Sequence, residues 1–258
     1  MTSPILVTGG TGTLGRHVVR RLHDGGLEVR VLSRRTHDND NGVTYLAGDL
    51  DTGLGVDAAV AGVQTVIHCA GAQKGDEDKA RNLARAAAGA GVRHVVYISV
   101  VGADRVPVVS ALDRMMFAYF PSKLGGERAI AASGVPWTTL RAAQFHDLFL
   151  IVAKAVAKLP VIPAPAGFRF QPVDSDEVAA QLVELALGTP AGLVPDIAGP
   201  RVYGFGELIR AYLRSRGKRR LMLPVPLPGG AARAVRGGAN LALDRAVGHR
   251  TWEDFLAS

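Results

Sequence analysis

Cysteine occurs once in this 258-residue chain, at Cys69, so no intramolecular disulfide can form. That suits a reducing compartment, and the cytoplasm is the expected location. Long hydrophobic runs are missing too. The most apolar later stretch, 148–165, is interrupted by Lys154, Lys158, Pro160, Pro163 and Pro165, too short and too broken to span a bilayer. No basic segment followed by an apolar run marks the start, so no signal peptide is expected. No Cys/His cluster has metal-ligand spacing, and no metal site is expected. Aromatic residues are scarce, and none interleaves with the densest basic cluster, Arg214–Arg220. A nucleic-acid platform needs such interleaving, so nucleic acid is not an expected partner. The cluster reads instead as a solvated helix end and loop, and the rest of the +7 net charge is scattered arginine.

Glycine, by contrast, is concentrated where it carries most information. Ile5-Leu6-Val7-Thr8 reads as a strand, and Gly9-Gly10-Thr11-Gly12-Thr13-Leu14-Gly15 follows at once. Arg16 to Leu22 then has the apolar stripe of a helix. Strand, glycine turn and helix start together make a pyrophosphate site. Glycine adopts turn dihedrals closed to other residues and lets phosphate oxygens approach the backbone. The helix start adds unpaired N–H donors and a partial positive charge. Gly10, Gly12 and Gly15 satisfy Gly-x-Gly-x-x-Gly. Thr8, Gly9, Gly12 and Gly15 satisfy the more specific Thr-Gly-x-x-Gly-x-x-Gly. Arg16-His17 stands where a Walker loop needs Lys-Ser/Thr, which excludes that alternative.

Strand-like and helical runs alternate from Ile5 to Arg141. Strands are expected at 5–8, 28–32, 43–47, 65–69, 94–99 and 137–141, with a long helix over 76–90. The alternation predicts a doubly wound parallel sheet with helices on both faces, and continuous apolar strands such as Val95-Val96-Tyr97-Ile98 suit burial on both sides. Beyond strand 6, helices are expected over 143–159, 175–187, 205–216 and 251–257. An irregular connection is expected at Pro160–Pro165, and loop or loosely packed helix over 224–238. The chain reads as a single domain, 1–258, with 143–258 contributing most of a small substrate-side lobe.

Thr8 to Gly15 resembles the cofactor turn of the short-chain dehydrogenase/reductases, and later landmarks resemble its atypical, NmrA-like group. These are Ala80-Arg81-Asn82-Leu83 through Gly91-Val92, Trp137 through His146, and Gln171-Pro172-Val173-Asp174 through Val178-Ala179. The resemblance implies a Rossmann-type fold and a nicotinamide cofactor held by Thr8, Gly9, Gly10, Thr11, Gly12, Thr13, Leu14 and Gly15. The end of strand 2 then chooses the cofactor. An acid there would accept bonds from the ribose 2′-hydroxyl of NAD; this chain has Leu32-Ser33-Arg34-Arg35, with no carboxylate until Asp38. A guanidinium pairs bidentately with a 2′-phosphate. NADP(H) is therefore expected ahead of NAD(H), held by Arg34 with Arg35 and Ser33 in support.

By family position, Asp49 and Leu50 would contact the adenine. Cys69, Ala70 and Gly71 would let the backbone pass under the cofactor. Ala142, Ala143, Gln144 and Phe145 would flank the nicotinamide. The family's proton-donating pair, Tyr-x-x-x-Lys, is matched by Tyr119 and Lys123, and its polarising serine by Ser99. In that scheme the tyrosine protonates a carbonyl oxygen as hydride arrives, and the lysine lowers the phenol pKa and holds the ribose. Pro121 lies between the pair; if the helix begins there, Tyr119 falls outside it. His146 and Phe149 are candidates for the substrate pocket, although helix-start packing and a core stripe account for them as well. His68 reads as a structural residue at a strand end. The expected function is an NADP(H)-dependent oxidoreductase acting on a small carbonyl, enone or quinone-like molecule. The alternative is a non-catalytic NADP(H)-binding redox sensor or regulatory protein.

Overall fold

The computed structural model describes residues 3–35, 37–39, 42–71 and 75–258. The first half runs β1 (Ile5–Thr8), α1 (Thr13–Asp24), β2 (Val29–Ser33), β3 (Val43–Ala47), α2 (Val56–Val60), β4 (Thr65–His68), α3 (Asp76–Gly89) and β5 (His94–Val100). Next come α4 (Ala111–Phe117), α5 (Tyr119–Ala131), β6 (Trp137–Ala142), α6 (His146–Val156), β7 (Val161–Pro165), β8 (Arg169–Phe170) and α7 (Ser175–Leu187). The chain ends with β9 (Gly192–Leu193), β10 (Tyr203–Gly204), α8 (Phe205–Ser215), β11 (Leu221–Val225), α9 (Gly230–Arg236) and α10 (Trp252–Ala257).

Seven strands form one parallel sheet in the order β3-β2-β1-β4-β5-β6-β9. This is the Rossmann-type α/β architecture that the alternation predicts. Its strands are apolar on both faces because helices cover both; β1 and β5 are buried along their whole length. The chain leaves β1 toward β2 and β3, then returns to β4 on the other side of β1. That reversal opens a crevice beyond the carboxyl ends of β1 and β4, where ligands bind in open parallel sheets.

The chain divides into two compact units. The first comprises Met1–Ser99, Pro121–Arg141 and Asp176–Pro195 and holds the parallel sheet. Its core joins Leu6, Val66 and Val95 of the sheet to Leu83 and Ala87 of α3 and Ile130 of α5. Asp176, in the first turn of α7, accepts hydrogen bonds from Arg20 (2.7 Å) and Arg21 (2.6 Å) of α1, which clasps the two helices. The second unit comprises Val100–Phe120, Ala142–Ser175 and Asp196–Ser258. Its core gathers Phe149, Ile162, Tyr203, Leu208 and the fully buried Trp252, whose indole donates to Leu208 O (3.0 Å).

Three sequence expectations are corrected. The proline-rich segment after α6 is β7, paired in parallel with β11. Pro163 and Pro165 are two apart, so both present their missing N–H on one side of the strand. A two-stranded ribbon leaves such a side unpaired. Residues 224–238 are more ordered than their Gly and Ala content predicts: Pro224 and Val225 end β11, and α9 buries Ala231, Ala232 and Val235. The helix expected from Ala143 begins at His146 instead. Ala143 N–H donates to Ile197 O (2.9 Å) and Phe145 bridges Val173, which holds these residues extended.

Pro121 is the third residue of α5. It needs no N–H there, because the first turn of a helix has no internal acceptors for its N–H groups. Its ring instead obstructs the carbonyl four residues back, that of Phe117, where α4 ends. Tyr119 and Lys123 therefore belong to one helix, four residues apart.

Candidate functional site

The glycine turn is built by close backbone approach. Gly9 has φ +71°, and a Cβ on it would lie 2.6 Å from Ala70 N. Gly12 donates to Gly9 O (2.9 Å) and caps α1 without a side-chain bond. No acidic residue stands in the first turn of α1, so its partial positive charge and open N–H groups face outward uncompensated. Gly10, Leu14 and Gly15 are buried beneath the turn.

A cleft of about 940 Å³ opens over this turn, entirely within the first unit. Gly9, Thr11 and Gly12 form its floor. Ser33, Arg34 and Arg35 line one side with Leu32 and His37. Gly48 to Asp51 follow β3 along the rim, and Cys69, Ala70, Gly71 and Lys79 complete the wall. Among the described residues neither Arg34 nor Arg35 has a carboxylate within ion-pair distance. Ser33 Oγ accepts from Arg35 N–H (3.2 Å) and stands 3.1 Å from His37 Nε2. The thiol of Cys69 is pushed up to about 12 by burial, which Lys123 partly opposes; it is a wall atom and not a nucleophile.

Beneath the cleft lies a buried polar layer. Thr8 Oγ1 and His68 Nδ1 share a 2.6 Å hydrogen bond, and His68 stacks on Tyr97 with ring centroids 5.2 Å apart. Lys123 is only 2% exposed. Its ammonium pairs with Asp76 Oδ2 (3.0 Å), donates to Ile98 O (3.2 Å) and lies 5.1 Å from the Tyr97 ring centroid. It lies against the cleft wall at Gly71, where a Cβ would come within 2.9 Å of Nζ. Ser99 is also buried and donates its hydroxyl to Glu127, which receives a bidentate pair from Arg141 at 2.8 and 2.7 Å.

His68 gives this layer a pH dependence. Burial, with help from the nearby Lys123 and Lys79 charges, lowers its pKa from 6.5 to about 3. Between those values the unfolded chain takes up a proton that the folded chain refuses, so stability falls as pH drops below 6.5. The loss from this group reaches about 2 kcal/mol near pH 5. Denaturant titrations across that range should show His68→Asn with a flatter pH profile than the parent.

The remaining sequence candidates lie in the second unit. Tyr119 is 38% exposed at the start of α5. Ala142 and Ala143 are buried, and Gln144 Oε1 is buried with no hydrogen-bond partner among the described residues. Phe145 precedes α6. His146 stacks against Trp252 and Phe255 and bonds Arg250 O at 3.1 Å. Phe149 packs edge-on against Phe170. Sequence reasoning missed Lys79 and His37. Lys79 stands in the first turn of α3, 2.7 Å from Asp51 Oδ1 across the rim, and no motif marks it. His37 could have been found from its place three residues beyond Arg34.

The comparisons with known proteins agree with this geometry. A family model described as NAD(P)H-binding matches residues 9–186. A (4-alkanoyl-5-oxo-2,5-dihydrofuran-3-yl)methyl phosphate reductase of Streptomyces griseus is 33% identical over 201 residues, covering 76% of this chain and 68% of that protein. A ceramide reductase of Caulobacter vibrioides is 30% identical over 248 residues, covering 87% and 74% respectively. In structure, the chain superposes on an NADPH-dependent quinone oxidoreductase of Escherichia coli, crystallised with NADPH, with a TM-score of 0.80. The overlap covers 98% of each chain at 20% identity, a likeness of fold. The chain belongs to the NAD(P)H-binding family that this model describes, whose members similar to this chain include reductases. Its cofactor is accordingly a nicotinamide dinucleotide.

Proposed function

We propose that this protein is an NADPH-dependent reductase of a small carbonyl, enone or quinone-like molecule. The observation that carries the choice of NADPH is the end of β2. Ser33, Arg34 and Arg35 line the cleft there, and among the described residues no carboxylate lies within ion-pair distance of either guanidinium group. NAD would want an acid at that position, and a 2′-phosphate wants cations. The turn suits a pyrophosphate, since the backbone around Gly9 and Gly15 leaves no space for a Cβ and α1 begins without an acidic residue. Asp49 and Leu50 are assigned to the adenine, and Cys69, Ala70 and Gly71 to the wall beneath the ribose.

A bound nicotinamide supplies hydride to an electrophilic carbon. In this proposal Tyr119 gives the proton to the oxygen. Lys123 supports the ribose from beneath Gly71, and Ser99 braces the layer through Glu127. Ala142 to Phe145 are assigned to the nicotinamide, with His146 and Phe149 in the substrate lobe of residues 143–258. The two relatives named above are reductases of different organic molecules, which favours a reductase and leaves the substrate class broad.

One observation favours the second reading, a redox sensor that binds NADP(H) without turnover. The hydroxyl of Ser99 and the ammonium of Lys123 are both committed to buried carboxylates. The deciding experiment follows NADPH consumption by the purified protein across a panel of carbonyls, enones and quinones, with Tyr119→Phe alongside. Turnover that falls roughly 100-fold or more in Tyr119→Phe is the expected result. NADPH binding without turnover on any member of the panel would replace the reductase with the sensor.

A further inference from the structure

The ribbon formed by β7 and β11 has two unlike faces. Ile162 and Met222 turn inward and join the core of the second unit. The opposite face aligns Val161 with Leu221 and Pro163 with Leu223, and all four are exposed, Leu221 at 69% and Leu223 at 58%. Single exposed leucines are ordinary on protein surfaces, but a contiguous apolar face marks an interaction site.

A cavity of about 390 Å³ adjoins this face, lined by Lys158, Pro160, Arg219, Arg220 and Leu221. Among the described residues none of its three cations has a carboxylate partner; Arg220 instead donates to Arg219 O (2.9 Å). The chain has no acidic residue between Glu207 and Asp244, a span that also carries Arg214, Arg216 and Lys218. Cations of one sign beside exposed leucines complement a partner that is both anionic and apolar within a few ångström. A phospholipid surface has that layering, phosphate outside and hydrocarbon beneath. A nucleic acid backbone would leave the leucines with no gain.

We infer that the β7–β11 ribbon docks this protein peripherally on an anionic bilayer, with a lipid phosphate in the Lys158–Arg219–Arg220 cavity and Leu221 and Leu223 entering the interface. This goes beyond the reductase proposal and does not depend on it, since none of these residues lines the cofactor cleft.

The test is co-sedimentation of the full chain with vesicles of phosphatidylcholine alone and of phosphatidylcholine mixed with phosphatidylglycerol. Binding should appear only with the mixed vesicles and weaken as salt rises. One cation near such a surface is worth about fivefold in partitioning. Arg219→Gln/Arg220→Gln should therefore lose roughly thirtyfold, and Leu221→Ser/Leu223→Ser should weaken binding at unchanged charge. Retained NADPH binding in both variants would show that they fold. Equal binding to both kinds of vesicle, binding to neither, or saturable uptake of inorganic phosphate without any vesicle preference would each overturn the inference.

Discussion

Gly15→Ala is expected to cost about 3 kcal/mol of stability and to dismantle the cofactor turn. A Cβ at this position would lie 2.1 Å from Gly9 O and 2.7 Å from Gly10 Cα. Both obstacles are backbone, so no rotamer can relieve the clash. Either α1 moves away from β1 or the Gly9–Gly12 bond opens, and both displace the N–H groups that face the cleft. Displacements near 1 Å cost on the order of 100-fold in activity. Gly26→Ala is the control: Gly26, unlike Gly15, lies at positive φ, and a Cβ there meets nothing within 4 Å. It should lose some stability to backbone strain and keep its cofactor affinity. Thermal unfolding and NADPH titration of the two variants separate a local clash from a general intolerance of alanine.

Lys123→Met should lower stability by about 3–5 kcal/mol, the cost of stranding one member of a buried ion pair. Lys123 and Asp76 are 2% and 0% exposed and 3.0 Å apart, so a carboxylate that loses this pair cannot turn to water. Methionine keeps most of the volume, which isolates the charge from the packing. Removing both charges in Lys123→Met/Asp76→Leu should recover most of the loss, because an apolar pair carries no desolvation cost. If stability recovers in the double variant while NADPH turnover does not, Lys123 has a role at the cofactor beyond its pairing. Recovery of both would make it a structural residue. Denaturant unfolding with parallel turnover assays reads the two apart.

Much of this architecture was legible in the sequence wherever the signal was local. Ile5–Thr8 and the glycines after it define the first strand, turn and helix within twenty residues, and α7 begins and ends where its apolar period does. The Arg34 reading rests on one position next to one strand. What escaped depends on contacts between distant residues. Val161 and Leu221 pair across a long span of sequence, and the prolines that suggested an irregular connection are tolerated because the ribbon has only one hydrogen-bonding side. In α9, small alanines give a weak periodic signal that packing turns into a buried helix. The start of α5 was obscured by Pro121, which a first turn accepts.

The polar layer under the cleft escaped for a related reason. Nothing in the string Tyr119-Phe120-Pro121-Ser122-Lys123 indicates that the lysine reaches Asp76 on α3. Nor does Ser99 announce Glu127 and Arg141. Motif spacing places side chains on elements, but partners are chosen by how the elements pack. Lys79 belongs to the same class, brought to the cleft rim by the course of α3 and its pair with Asp51.

The central claim is a cleft built for a 2′-phosphorylated nicotinamide cofactor. Calorimetric titration of NADPH and NADH into the parent and Arg34→Ala tests it most directly. The account predicts that NADPH binds more tightly than NADH, and that Arg34→Ala weakens NADPH by about 1.5–3 kcal/mol, roughly 10- to 150-fold, the worth of a hydrogen bond to a charged group. NADH affinity should stay nearly unchanged. Equal affinity for the two cofactors in the parent, with Arg34→Ala altering neither or both alike, would contradict it.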